Sequence, residues 1–378
     1  MQPYIPVIVL SLCTPAAALG LEYVTIQQNG SQKELAGKLE VEAEDGGVML
    51  LTADGVLWPL PKEEIVSRKS DDKPFVALAA AELAKKLTAE LPSGFKIHQT
   101  KNYLICYNTS PAYAQWVGGL FERLNSAFYN YWTRRGIEMR QPEFPLVALV
   151  FDSKSSYAQH ARGELGDATN SIIGYYSLKT NRMTMYDLTG VEEFGGGGKA
   201  TTAARVNQVL SQPGAERTVA TIVHEATHQL AFNSGLQVRY ADIPMWVSEG
   251  LAIYFETPDL ESKTGWRNIG GVNRVNLVNY RKAAADGKLV SLEQLLSDDK
   301  RFRDPASAAT AYAQAWALNY YLLKTRGDDY VKYLQAQAAQ APLVTLEPAE
   351  RLKQFEDNLG GELTTIEAEF LRYMRSVN

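Results

Sequence analysis

The chain has 378 residues, 46% of them hydrophobic and 21% charged, so it holds enough apolar material for a large core. Its net charge is −5, and no basic stripe marks a nucleic-acid binder or steers the chain to a membrane surface. The length fits a main domain with a smaller one beside it.

The N-terminus reads "MQPYIPVIVLSLCTPAAALG". The apolar run Ile5 to Leu12 leads into Ala16, Ala17, Ala18 and Gly20, the layout of a secretory signal over residues 1–20. The run is too short to span a bilayer. The expectation is therefore an exported protein, periplasmic or extracellular, with no integral span in the mature chain. Cys13 follows Leu12, which does not fit a lipid-modified cysteine. Removal of the signal leaves Cys106 alone, which excludes an internal disulfide and a cysteine-rich metal site. In its apolar run Cys106 reads as a small buried hydrophobe.

Residues 21–70 alternate short apolar runs with Asp45-Gly46-Gly47 and Asp54-Gly55, strong hairpin signals. They predict a small antiparallel β domain, a barrel or a meander, followed by a polar linker at 67–74. From 75 to 215 the pattern is mixed. It offers a helix from Phe75, a strand pair around His98 and Cys106, a long helix ending at Gly136, a strand at "PLVALVFDS", a helix around His160, and a hairpin turning at Lys179 to Asn181. The run Gly195 to Gly198 cannot hold regular structure and reads as a mobile loop. From 216 to 378 the chain reads as helices. The fold class is α+β with a helical C-terminal half.

"TIVHEATHQLAFNSG" carries two of the four histidines. On a helix at about 100° per residue, Val219, Val223, Ala226 and Leu230 fall within roughly 60° of one another and form the core stripe. His224 and His228 lie about 140° and 180° from Val219, with Glu225 near 240°. The histidines share a face off that stripe, at a spacing that lets both imidazoles meet one ion, and Glu225 projects beside them. A surface helix with two solvated histidines is the competing reading, and the apolar flanks weigh against it. Zinc needs a third protein ligand. His98 and His160 lie far upstream, so a carboxylate is required, and "IPMWVSEGLAIYFE" supplies Glu249, 21 residues after His228. Pro244 suits the first turn of that helix. Gly250 removes a side chain where the two helices would have to approach. A carboxylate among Trp246, Val247, Leu251 and Ile253 costs several kcal/mol if buried unpaired, a cost a cation offsets.

"VHEATHQL" followed by "WVSEGLAIYFE" resembles the gluzincin metallopeptidases, whose pattern is HExxH plus a glutamate on the next helix. The second segment is similar to the W-x-x-E-G-x-A signature of the aminopeptidase N-like branch. From about 95 to 375 the chain resembles, more closely, an uncharacterised bacterial family of exported gluzincin-like proteins. The resemblance implies a thermolysin-like body, with a small mixed sheet, an active-site helix below its edge strand and a helical C-terminal subdomain. The Gly-x-Met-Glu-Asn segment of the aminopeptidase branch is missing from the hairpin at 171–190, so aminopeptidase activity is not implied. Thermolysin-type proteins carry an aspartate four residues after the ligand glutamate; Ile253 stands there. Glu256 either takes over an orienting role or is solvated at the helix end.

The implied chemistry is peptide hydrolysis. His224, His228 and Glu249 hold one Zn²⁺, and Glu225 acts as general base. A downstream tyrosine completes the oxyanion site, and the family pattern points to Tyr312 ahead of Tyr320 and Tyr321. The hairpin from Tyr175 to Asp187 would present an edge strand to an extended peptide. The expected partner is a peptide or protein substrate, and the oligomeric state stays open. The alternatives are a non-catalytic binding protein on a gluzincin scaffold, and a zinc hydrolase of non-peptide amides or esters.

Overall fold

The computed structural model describes residues 20–28, 30–170, 172–190, 199–256 and 269–378. The signal-sequence expectation and most of the glycine-rich loop fall outside these residues.

The chain is α+β. Five antiparallel strands come first: β1 (Glu22–Gln28), β2 (Ser31–Glu42), β3 (Val48–Thr52), β4 (Leu57–Leu60) and β5 (Ile65–Ser70), in the order β4-β3-β2-β1-β5. The Asp-Gly turns work as expected, with Gly46 at φ 88° and Gly55 at φ 83°. β4 and β5 are the two edges, so the sheet is a meander with a returning fifth strand rather than a barrel. The linker expected at 67–74 begins later, because Ser67–Ser70 pair with β1. The polar residues there suit an edge strand, and Arg68 reaches Glu42 at 2.8 Å. All five residues of β3 are buried, since both its faces are covered. Val48 and Leu50 pack with Val24, Ile26 and Leu60 inside the sheet's own cluster. Met49 and Leu51 face Leu57 and Phe144.

The rest of the chain shares one apolar core, running from Leu83 to Val377. α1 (Ala80–Glu90), β6 (Lys96–Gln99), β7 (Tyr103–Tyr107), α2 (Pro111–Thr133), β8 (Leu146–Phe151), α3 (Lys154–Leu165), β9 (Gly174–Tyr176) and β10 (Arg182–Tyr186) build a second sheet with helices. Its order is β6-β7-β8-β10-β9, with parallel pairs in the middle and antiparallel pairs at both ends. Ser110 caps α2 by accepting from the Tyr113 amide, with Pro111 in the first turn. Cys106 is buried and free, and burial pushes its thiol up to about 12.

Helices follow: α4 (Ala203–Leu210), α5 (Pro213–Asn233), α6 (Met245–Phe255), α7 (Arg274–Ala285), α8 (Leu292–Ser297), α9 (Lys300–Arg303), α10 (Ala308–Thr325), α11 (Gly327–Ala338), α12 (Pro348–Leu359) and α13 (Leu363–Ser376). Among the described residues, none of the helices is long and apolar enough to cross a membrane. Gln229 ties α5 to the second sheet: its buried amide donates to Val147 O at 3.0 Å and Asn181 O at 3.1 Å.

The first sheet docks on the β9–β10 turn. Leu57 N donates to Lys179 O at 2.8 Å. Arg239 Nη1 donates both to Gly55 O at 3.0 Å and to Leu178 O at 3.1 Å.

Candidate metal centre

The core stripe of α5 forms as its periodicity requires: Val219, Val223, Ala226 and Leu230 are all fully buried, joined by Ile222. The opposite face is covered as well, so His224 and His228 are buried rather than solvated. α6 folds back across them. Its first turn is capped from a distance, Met245 N donating to Asp299 Oδ1 at 2.9 Å, and Pro244 sits just before the first helical residue.

The two helices bring three donor atoms together. His224 Nε2 lies 3.1 Å from His228 Nε2 and 3.0 Å from Glu249 Oε2, and His228 Nε2 lies 3.6 Å from Glu249 Oε2. Three ligands about 2 Å from one tetrahedral cation stand roughly 3.3 Å apart, so these separations match the edges of such a site. The group His224, His228 and Glu249 could thus hold a metal ion.

The surroundings aim the lone pairs inward. Glu256 Oε1 lies 2.6 Å from His224 Nδ1, and Asn273 Nδ2 donates to Glu256 Oε2 at 3.3 Å. Ser248 Oγ lies 3.3 Å from His228 Nδ1, with Gln237 Oε1 behind it at 3.4 Å. Each imidazole therefore spends Nδ1 outward and presents Nε2 to the centre. The electrostatics point the same way. Burial works against a charged His224, yet Glu249 and Glu256 hold its pKa well above the usual histidine range. Burial likewise opposes a charged Glu249, and His228 and His224 override it, holding the carboxylate below its usual range. The centre gathers positive charge, which a proton or a metal ion supplies.

Glu225 stands beside the group. Its Oε2 accepts from Tyr176 N on β9 at 2.9 Å, while burial raises its pKa against the pull of His224 and His228. Tyr312, on the first turns of α10, is half-buried with its ring edge-on to Phe302 at 5.4 Å. Burial, then the charges of Glu249 and Glu225, push its pKa up, which keeps the hydroxyl a hydrogen-bond donor. Tyr320 packs on Trp316 and Tyr254, and Tyr321 Oη donates to Glu369. His98 on β6 and His160 on α3 lie outside the metal group.

Two cavities meet at this wall. One, of about 760 Å³, runs along β9 past Ile172, Phe232, Ile243 and Met245. The other, of about 770 Å³, opens toward α7. Both are lined by Arg217, Thr221, His224, Glu225 and Tyr312.

Gly250 allows a close approach, but to α10 rather than α5. A Cβ there would stand 2.0 Å from Asn319 Nδ2 and 2.7 Å from Ala315 O. Asn319 is fully buried and donates to Trp246 O at 2.8 Å and Ala315 O at 2.9 Å, fixing the helix that carries Glu249. The sequence gives no sign of Asn319, Asn273, the Tyr176 amide or Arg217. Ser248, next to Glu249, could have been suspected from its position alone.

Residues 218–344 match a family described as a protein of unknown function (DUF1570). Among curated proteins none matches the chain. The matched segment begins six residues before His224 and contains His228, Glu249, Glu256, Tyr312 and Asn319, whereas β9 and Arg217 lie before it. The chain is thus similar to that family across His224, Glu225, His228 and Glu249.

Proposed function

We propose that the chain is a zinc-dependent peptidase of the gluzincin type with a thermolysin-like body, acting as an endopeptidase outside the cytoplasm. The observation that carries this reading is the convergence of His224, His228 and Glu249, with Glu225 held next to them by the Tyr176 amide. A bound zinc ion would supply Lewis acidity and a water with a pKa near neutrality.

The chain's own residues would do the rest. Glu225 takes a proton at its carboxylate and returns it to the leaving amine. Tyr312 donates its hydroxyl proton toward the developing oxyanion. β9 is a sheet edge, and Ser177 N bonds inward to Arg182 O at 3.0 Å. By strand alternation the Gly174 N–H, the Gly174 C=O and the Tyr176 C=O face outward, where an extended peptide can pair. Cavity space on both sides of the centre favours cleavage within a chain over removal of a terminal residue.

The test is metal analysis of purified protein with peptide-library cleavage by wild type and Glu225→Gln. Stoichiometric zinc in both proteins, with cleavage by wild type alone, is expected. Failure to hold zinc after supplementation overturns the reading, as does cleavage that survives in Glu225→Gln.

A further inference from the structure

The two cavities differ in their arginines. The α7 side is lined by Arg217, Arg274, Asn273, Asn276 and Asn279, with Ile253, Val272 and Val275 between them. Arg217 and Arg274 are both exposed to the cavity from different helices, and neither forms an ion pair among the described residues. Of the acidic groups there, Glu225 is taken by the Tyr176 amide and Glu256 by His224 and Asn273. Glu216, the third acidic residue of this lining, is exposed. The cavity along β9 has Arg217 as its one arginine or lysine.

The geometry points to a carboxylate-recognising subsite on the α7 side, formed by Arg217 and Arg274. It rests on the peptidase reading and names the substrate class for that centre: peptides with a carboxylate on one side of the cleaved bond. Guanidinium groups pair bidentately with carboxylates, and the asparagine amides supply further donors around them. Arg217 precedes His224 by seven residues on α5, about 10 Å along the helix axis. An extended peptide advances about 3.3 Å per residue, so the recognised carboxylate sits two or three residues from the bond that is cut. It comes either from an aspartate or glutamate side chain or from the peptide's own C-terminus.

The experiment uses the full-length zinc-supplemented protein and decapeptide libraries in four forms. A scanned position carries Glu or Gln, and the C-terminus is free or amidated. Cleavage is followed with wild type, and binding is measured by fluorescence anisotropy with Glu225→Gln. Carboxylate forms should be cut and bound at least 10-fold better than their amide counterparts. Arg217→Ala with Arg274→Ala should abolish that difference, so that carboxylate and amide forms are bound and cut alike. The Glu/Gln pair and the free/amidated pair show which source is read. Equal binding of carboxylate and amide forms overturns the subsite, as does discrimination that survives in the double variant. Discriminating binding without cleavage of any library leaves the subsite standing and removes the peptidase reading instead.

Discussion

Glu256 Oε1 and His224 Nδ1 are 2.6 Å apart, so the residue that closes α6 holds the first histidine of α5 in place. Glu256 stands seven residues after Glu249, two helical turns, so both carboxylates face α5 from the same side of α6. Removing such a partner lowers metal affinity by about 10- to 100-fold. Glu256→Ala should show that loss in chelator competition, and Glu256→Gln, which keeps an acceptor oxygen, should recover most of it. Unchanged affinity in the alanine variant would rule out the orienting role.

Tyr312 separates from the ligands by its kinetic signature. Tyr312→Phe keeps the ring against Phe302 and loses only the donor. A drop of about 10²- to 10³-fold in kcat, with KM and zinc content unchanged, is the expected result. A change in KM alone would place Tyr312 in substrate binding rather than in charge stabilisation.

Gly250→Ala tests how α6 is anchored. The added Cβ would press on Asn319 Nδ2 and Ala315 O, and Asn319 is already committed to two backbone carbonyls. Overpacking of this kind costs about 1–3 kcal/mol, measurable as a lower urea midpoint with an unchanged m-value. Because the displaced segment carries Glu249, zinc affinity should fall with it.

The junction between the two sheets should show in acid. Asp54 is buried, which by itself raises its pKa, but Lys86 Nζ at 2.6 Å and the Thr52 hydroxyl outweigh this and lower it. A carboxyl with a depressed folded-state pKa stabilises the fold above its unfolded value near 3.8, and the contribution disappears as pH falls through the folded-state value. Asp54→Asn should therefore cost of order 1 kcal/mol near pH 7, kept small by the exposure of Lys86, and nothing at the lowest pH. Thermal melts of the two proteins across pH 2–7 would check this; a gap that does not close in acid would contradict it.

Local patterns carried the elements and the ligands. The Asp-Gly turns, the α5 stripe and the His224–His228 spacing depend on residues within a few positions of one another, so they could be read directly. Glu249 followed because the two histidines call for a third ligand, and an acid amid apolar neighbours on the next helix answers to it. The polar tail of β5 looked like a linker because an edge strand exposes most of its side chains. α4, α8 and α9 are short and gave no usable periodicity. Glu256 could be read either way, since what decides its role is the folding back of α6. Asn319 donates to the Trp246 carbonyl and the Tyr176 amide to the Glu225 carboxylate, each partner dozens of residues away, and local sequence carries no trace of such pairings.

Arg239 gives one guanidinium to two turns, Gly55 in the first sheet and Leu178 beside β9. Four residues before Leu178 begins the strand whose Tyr176 amide holds Glu225. The N-terminal sheet is therefore mechanically in series with Glu225. It works as a splint for the edge strand, and cutting it away would loosen the seat of the Glu225 carboxylate without touching His224, His228 or Glu249.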